Sequence, residues 1–198
     1  MFTLAGIRQT TPEISGDGLL IRSPQQSDYQ AWSDLREASR AFLTPFEPRW
    51  SDAELSQRNF AARVRRNRKD ALYGCEYSLL IFQQSGGRST LTGGVTLSHI
   101  RRRSFQNVTL GYWMGAQYAG NGIMKRAVAL ILPFVFDTLS LHRIEAACLP
   151  DNMASRRVLL SNGFREIGIA EKYLQINGEW RDHTLFALTR ERYDGQAR

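Results

Sequence analysis

Gln117-Tyr118-Ala119-Gly120-Asn121-Gly122-Ile123-Met124 joins a strand-like run at 108–114 to a strongly apolar, helix-like run. Two glycines one residue apart let the backbone turn sharply and bring its N–H groups close to a ligand, with no side chain in the way. A helix starting near Gly122 adds the positive end of its dipole, so the octapeptide reads as a phosphate-binding turn. A Walker loop needs Gly, four residues and Gly-Lys-Ser/Thr, which this chain lacks, and a P-loop nucleotide hydrolase is therefore disfavoured. The dinucleotide fingerprint needs Gly or Ala where Lys125 stands. What remains is Gln-x-x-Gly-x-Gly between a strand and a helix.

Downstream, Ile123, Ala127, Leu130, Ile131 and Phe134 share one face of a helix predicted from Ile123 to about Leu139, apolar enough all round to be largely buried. Pro133 should kink that helix or end it early. A strand is predicted at 142–148, then a short helix bracketed by Asn152 and Asn162-Gly163-Phe164. Asn177-Gly178 is a two-residue hairpin turn. Upstream lie a strand at 19–22, a helix capped by Ser27-Asp28 and reaching Ser39, and a Pro-containing loop at 44–48. A second helix is predicted from Ser51 or Asp52 to about Asp70, followed by strands near 77–82 and 90–97 around Gln84-Ser85-Gly86-Gly87. Gly111 is expected at a bulge in the strand before the loop.

In this order the elements resemble the GNAT N-acetyltransferases. The turn is similar to that family's coenzyme A pyrophosphate loop, and Asn152-x-x-Ser155 followed by Gly163-Phe164 is similar to its Asn-x-x-Ser element. The last block, 173–188, resembles the C-terminal hairpin of the RimJ branch, the ribosomal-protein-alanine N-acetyltransferases. Phe42-Leu43-Thr44-Pro45-Phe46-Glu47-Pro48 and Leu141-His142-Arg143-Ile144 also look like that branch. The resemblance runs from Gly18 to Leu188. It implies an α/β (α+β) GNAT fold with a central mixed, mostly antiparallel sheet of about seven strands, splayed at the cofactor site and flanked by about four helices. One domain at 18–189 is expected, with arms at 1–17 and 190–198.

Composition agrees with a single soluble enzyme, since 198 residues suit one domain. The longest apolar run, 127–136, is about half a membrane span, and the N-terminus lacks a signal pattern, so a cytoplasmic location is expected. Cys75 and Cys148 sit in apolar, strand-like surroundings and read as two buried thiols; no metal-ligand spacing occurs.

Net charge is +7 and local: Arg63, Arg65, Arg66, Arg68 and Lys69 form one run and Arg101, Arg102 and Arg103 another. These runs suit ribosomal RNA beside a substrate protein, or attraction of an anionic cofactor; a solvated helix face and hairpin tip would look the same. Lys125 and Arg126 oppose the helix dipole unless a phosphate is bound.

Acetyl transfer requires a neutral amine, a held thioester carbonyl, oxyanion donors and a proton for the thiolate. The resemblance implies acetyl-CoA held by Gln117 to Lys125, with backbone N–H groups near Trp113 and Met114 on the carbonyl. It also implies Asn152 on the pantetheine arm or the substrate, and Ser155, one turn later, donating to the thiolate. Helix capping is the ordinary alternative for Asn152. An α-amine of pKa about 7.7–8.0 is roughly a tenth neutral at pH 7, against about 0.04% for lysine, a difference of some 3 kcal/mol. A protein N-terminus therefore needs only a modest base; Glu47, Glu145 and Glu76 are candidates, because Thr109 stands where many relatives carry Glu. Asp182-His183 cannot serve a triad, since adjacent strand residues face opposite ways and no GxSxG elbow exists. The acceptor implied is the N-terminal alanine of a small-subunit ribosomal protein. A small-molecule amine, an aminoacyl-type toxin, or a ribosome-associated RNA-binding module remain alternatives.

Overall fold

A computed structural model describes residues 11–196. Asp17 and Gly18 take positive φ, 49° and 71°, and fold β1 (Glu13–Gly16) back onto β2 (Leu19–Arg22). Strand β2 pairs antiparallel with β3 (Tyr77–Ser85), β3 with β4 (Arg88–Arg101), and β4 with β5 (Asn107–Met114). The chain then crosses over through α4 (Ile123–Pro133) to β6 (Arg143–Cys148), parallel to β5 as a helical crossover requires. The hairpin of β7 (Arg165–Ile176) and β8 (Glu179–Thr189) turns at Asn177-Gly178, both at positive φ, and closes an eight-stranded sheet in the order β1-β2-β3-β4-β5-β6-β8-β7.

Pairing between β5 and β6 stops at Leu110 and Ala146, so beyond that point the strands part and the end of β5 has an open edge. This is the expected splay. On one face α1 (Tyr29–Ala38), short α2 (Arg40–Leu43) and α3 (Gln57–Tyr73) cover Leu80, Phe82 and Leu91 with Trp32, Leu35 and Phe60. On the other, α4 buries Ile123, Ala127, Val128 and Ile131 against Val108, Leu110, Ile144 and Phe186. Full burial of each such Ile, Leu or Phe contributes about 1.5–3 kcal/mol. Alternation along β5 sends Trp113 to the first core and Tyr112 and Met114 to the second.

Several expectations are corrected. Strand β1, the short α2 and a terminal α6 (Arg190–Gln196) raise the count to eight strands and six helices among the described residues. Strand β1 and α6 occupy stretches expected to be arms; residues 1–10 and 197–198 lie outside the described residues. Helix α3 begins at Gln57, not at Ser51 or Asp52, because Ser56 supplies the cap, its hydroxyl accepting from Asn59 N–H at 3.3 Å. Asp28 does not cap α1 through its side chain; its carboxylate is turned inward onto Arg22 at 2.7 Å. Pro133 ends α4, and one π-helical turn at Phe134–Thr138 carries the chain on. Gly111 lies in regular register opposite Thr96, whereas the irregularities fall between Ile81 and Phe82 and between Ser98 and Arg101. Cys148 is buried as expected, but Cys75, just past the left-handed Gly74 cap, is exposed.

Candidate active site

The loop after β5 is held from several sides. Gly115 N–H donates to Thr92 O at 2.8 Å, and a Cβ on Gly115 would lie 2.4 Å from Leu35 Cδ1, so a larger residue would have to displace the Leu35 side chain on α1. Ala116 N–H donates to Ser39 Oγ at 3.0 Å, and Ala116–Tyr118 form one 3-10 turn. Gly120 and Gly122 have φ of 80° and 70°, and a Cβ on either would meet open space. Glycine is required there by backbone conformation, and the space above the loop stays free. No side chain caps α4, and its first backbone bond runs from Arg126 N–H to Gly122 O, so the N–H groups of Ile123, Met124 and Lys125 have no intrahelical acceptor. Asn162 Nδ2 donates to Lys125 O at 3.2 Å, tying this first turn to the end of α5 (Met153–Ser161). Lys125 is exposed, but Arg126 is committed elsewhere: its guanidinium donates to Asp17 O in the β1–β2 turn.

The Gly115–Thr92 bond also fixes which backbone groups face the splay. Alternation along an antiparallel strand points Trp113 N–H at β4, and Met114 and Tyr112 N–H toward the open edge. Of the two expected carbonyl-binding donors, Met114 N–H faces the open edge and Trp113 N–H faces β4. Trp113 contributes its ring, and Gly94 is there to admit it: a Cβ on Gly94 would lie 2.5 Å from Trp113 Nε1.

Across the splay, Tyr112 Oη and Ser155 Oγ are 2.7 Å apart. Asn152 caps α5, its Oδ1 accepting from Ser155 N–H at 3.0 Å, which leaves the Asn152 Nδ2 group without a protein partner among the described residues. Burial pushes the Tyr112 phenol well above its ordinary range, with the hydrogen bond it shares with Ser155 offsetting part of the rise, so Tyr112 is neutral at any physiological pH. Burial likewise raises the Cys148 thiol, against smaller lowering effects of Ser155 and Arg156.

The candidate bases differ in how they are occupied. Glu47 receives both Arg36 Nη groups at 2.7 Å and Trp50 Nε1 at 2.7 Å, so its oxygens are filled. Glu145 pairs with Arg143 at 2.6 Å. Glu76 accepts from Ser78 Oγ at 3.1 Å and has no basic group within 4 Å among the described residues. It lines a cavity of about 360 Å³ on the α1–α3 face, together with Trp113, Thr96, Trp32 and the Arg36–Glu47 pair. His183 is buried with Nδ1 at 3.0 Å from Arg181 O, and among the described residues it has no carboxylate partner that would make a triad. Among the described residues no group of three or more His, Cys, Asp and Glu side chains has metal-site geometry.

Residues 18–165 match the family model described as an acetyltransferase (GNAT) domain. The chain belongs to the GNAT acetyltransferase family. It is 33% identical over 175 residues to a probable N-acetyltransferase, YjcK, of Bacillus subtilis, covering 88% of this chain and 96% of that one. It is 30% identical over 186 residues to the [ribosomal protein uS5]-alanine N-acetyltransferase of Escherichia coli, covering 93% and 95%. Mycobacterium smegmatis RimJ, solved in complex with CoA-disulfide, superposes with a TM-score of 0.82 at 30% identity over 93% of this chain and 89% of that one. The protein is thus an N-acetyltransferase of RimJ type.

Three parts of this acetyltransferase site escaped sequence reading. Gly93-Gly94 on β4 was visible as a doublet inside a strand, a signal of close backbone approach. Tyr112 meets Ser155 over 43 residues, and Arg36 meets Glu47 on a different element, and neither contact has a local pattern.

Proposed function

We propose that this acetyltransferase moves the acetyl group of acetyl-CoA onto the N-terminal alanine of a small-subunit ribosomal protein in the cytoplasm. The similarity to the uS5-alanine enzyme supports that acceptor. The carrying observation is that the cavity beside the splay contains one carboxylate, Glu76, with no cation on it, suited to an ammonium. In this reading pyrophosphate lies over Gln117, Tyr118, Ala119, Gly120, Asn121 and Gly122, against the first N–H groups of α4 at Ile123, Met124 and Lys125. Asn152 Nδ2 holds the pantetheine arm, and Met114 N–H holds the thioester carbonyl.

Glu76 holds the α-ammonium, whose proton passes to solvent along Ser78 and Thr96, which sit opposite each other on β3 and β4. The freed amine forms its bond to the acetyl carbon as the C–S bond breaks; the nitrogen sheds its second proton to solvent, and Ser155 Oγ, held by Tyr112, gives its proton to the thiolate and regains one from solvent. Glu47 then acts as a positioning residue, in keeping with its filled oxygens. Ribosome contact is assigned to exposed Arg65, Lys69, Arg101 and Arg103; Arg63 is paired with Glu54, and Arg102 donates to Leu139 O.

The test is CoA release from acetyl-CoA with peptides beginning Ala, Ser or Met. Turnover with Ala first is expected, with kcat/KM rising as pH passes about 8, where the α-amine loses its proton. Tight CoA binding without turnover of any peptide would sink the reading.

A further inference from the structure

The basic run on α3 does not behave as one patch. Arg66 and Asn67 line the cavity that holds Glu76 and Trp113, whereas Asn67 and Arg68 line a second cavity of about 350 Å³ toward β1 and β2. The two share Asn67 and Pro24 as lining residues, so they are neighbouring depressions along α3, together termed the groove. Each is on the scale of a small-ligand site, and together they exceed what a single amine needs. At the junction Asn67 is only 5% exposed, and its amide atoms reach solvent without a hydrogen bond to the described residues. Their paired donor and acceptor match a peptide backbone. The groove's charges are unequally used. Arg63 is bound to Glu54 and Arg22 to Asp28, both at 2.7 Å, but Arg66 and Arg68 have no carboxylate within 4 Å among the described residues.

Resting on the N-terminal acetylation proposed above, we infer that this groove holds the acceptor's first several residues as an extended chain. Glu76 meets the α-ammonium, Asn67 the backbone, and Arg66 and Arg68 acidic side chains that follow the terminal alanine. The acceptor class is an N-terminal segment with acidic residues beyond its second position. Glu13, on the wall of the second compartment, limits how far the basic stretch extends.

The test uses three peptide sets beginning Ala-Gly and carrying two Glu, two Gln or two Lys at positions three to six. At low salt the Glu set should show a KM roughly fivefold below the Gln set, and the gap should close as salt screens it. The double variant R66E/R68E should reverse the order in favour of Lys while the KM for acetyl-CoA stays put. R65E/K69E should keep the original preference. N67A should raise KM for all three sets, with the thermal midpoint checked to exclude misfolding. Equal KM values for all sets, with turnover intact, would overturn the groove and leave N-terminal acetylation standing; no turnover of any set would overturn the latter. Unchanged peptide preference in R66E/R68E with lost affinity for ribosomal RNA would assign these arginines to nucleic acid and end the proposal.

Discussion

In the proposed reaction Ser155 is the proton donor to the leaving sulfur, and its hydroxyl is 2.7 Å from a tyrosine that burial keeps neutral. Ser155→Ala should lower kcat about 100-fold with little change in acetyl-CoA KM, the range expected for a lost proton donor; an unchanged kcat in single-turnover experiments would remove Ser155 from the proton path. Tyr112→Phe should cost less, because Ser155 keeps its own proton. The two thiols should separate cleanly under alkylation. Cys148 is buried and its pKa is raised, so it carries less thiolate at any given pH than an ordinary thiol, whereas Cys75 is exposed. Iodoacetamide at pH 8 should label Cys75 first, and peptide mass mapping that found Cys148 labelled first would contradict this burial. At this scale the sequence was informative where conformation is local, as at the positive-φ Gly120 and Gly122 and at the Asn152 cap on Ser155. It was uninformative at the carboxylates, since what decides among Glu47, Glu76 and Glu145 is which arginine lies beside each.

The run from β5 through the loop and α4 to β6 was legible because each piece carries its own signal: alternation, paired glycines, then an apolar helix. Strand β1 was not, since four residues give too little alternation and its pairing is set by the Asp17-Gly18 turn. The start of α3 was misplaced because Ser51 and Ser56 both precede polar helix formers, and tertiary context chose the second. Elements also set tolerances. Gly94→Ala should push Trp113 off β4 and destabilise the fold by about 1–3 kcal/mol in urea unfolding, whereas full stability would mean that Trp113 has room to yield. Gly120→Val has space for its side chain but not the backbone conformation, at about 1–2 kcal/mol, and should also raise acetyl-CoA KM by obstructing the pyrophosphate; an unchanged KM would mean the loop is misassigned.

Across the whole molecule, the stretch after α2 is tied down from three directions. Arg36 on α1 grips the Glu47 carboxylate while its guanidinium lies 4.3 Å from the Trp50 ring and 4.9 Å from the Trp113 ring. Glu47 O accepts Asn177 N–H from the β7–β8 hairpin at 2.8 Å. One ion pair therefore joins α1, the stretch after α2, β5 and the C-terminal hairpin. Arg36→Ala strands a mostly buried carboxylate and should cost about 3 kcal/mol of stability, well beyond what a surface pair is worth. This assembly shapes a cavity lined by Glu76, which has no cation on it among the described residues, and the proposed α-amine acceptor rests on that carboxylate. The most direct test gives the enzyme acetyl-CoA and two versions of one Ala-first peptide containing a single lysine, one with its α-amine free and one with it formylated, and reads the products by mass and fragmentation. The account predicts one acetyl group on the α-amine of the free peptide and none on the formylated one. Acetylation of the lysine in both at equal rates would contradict it.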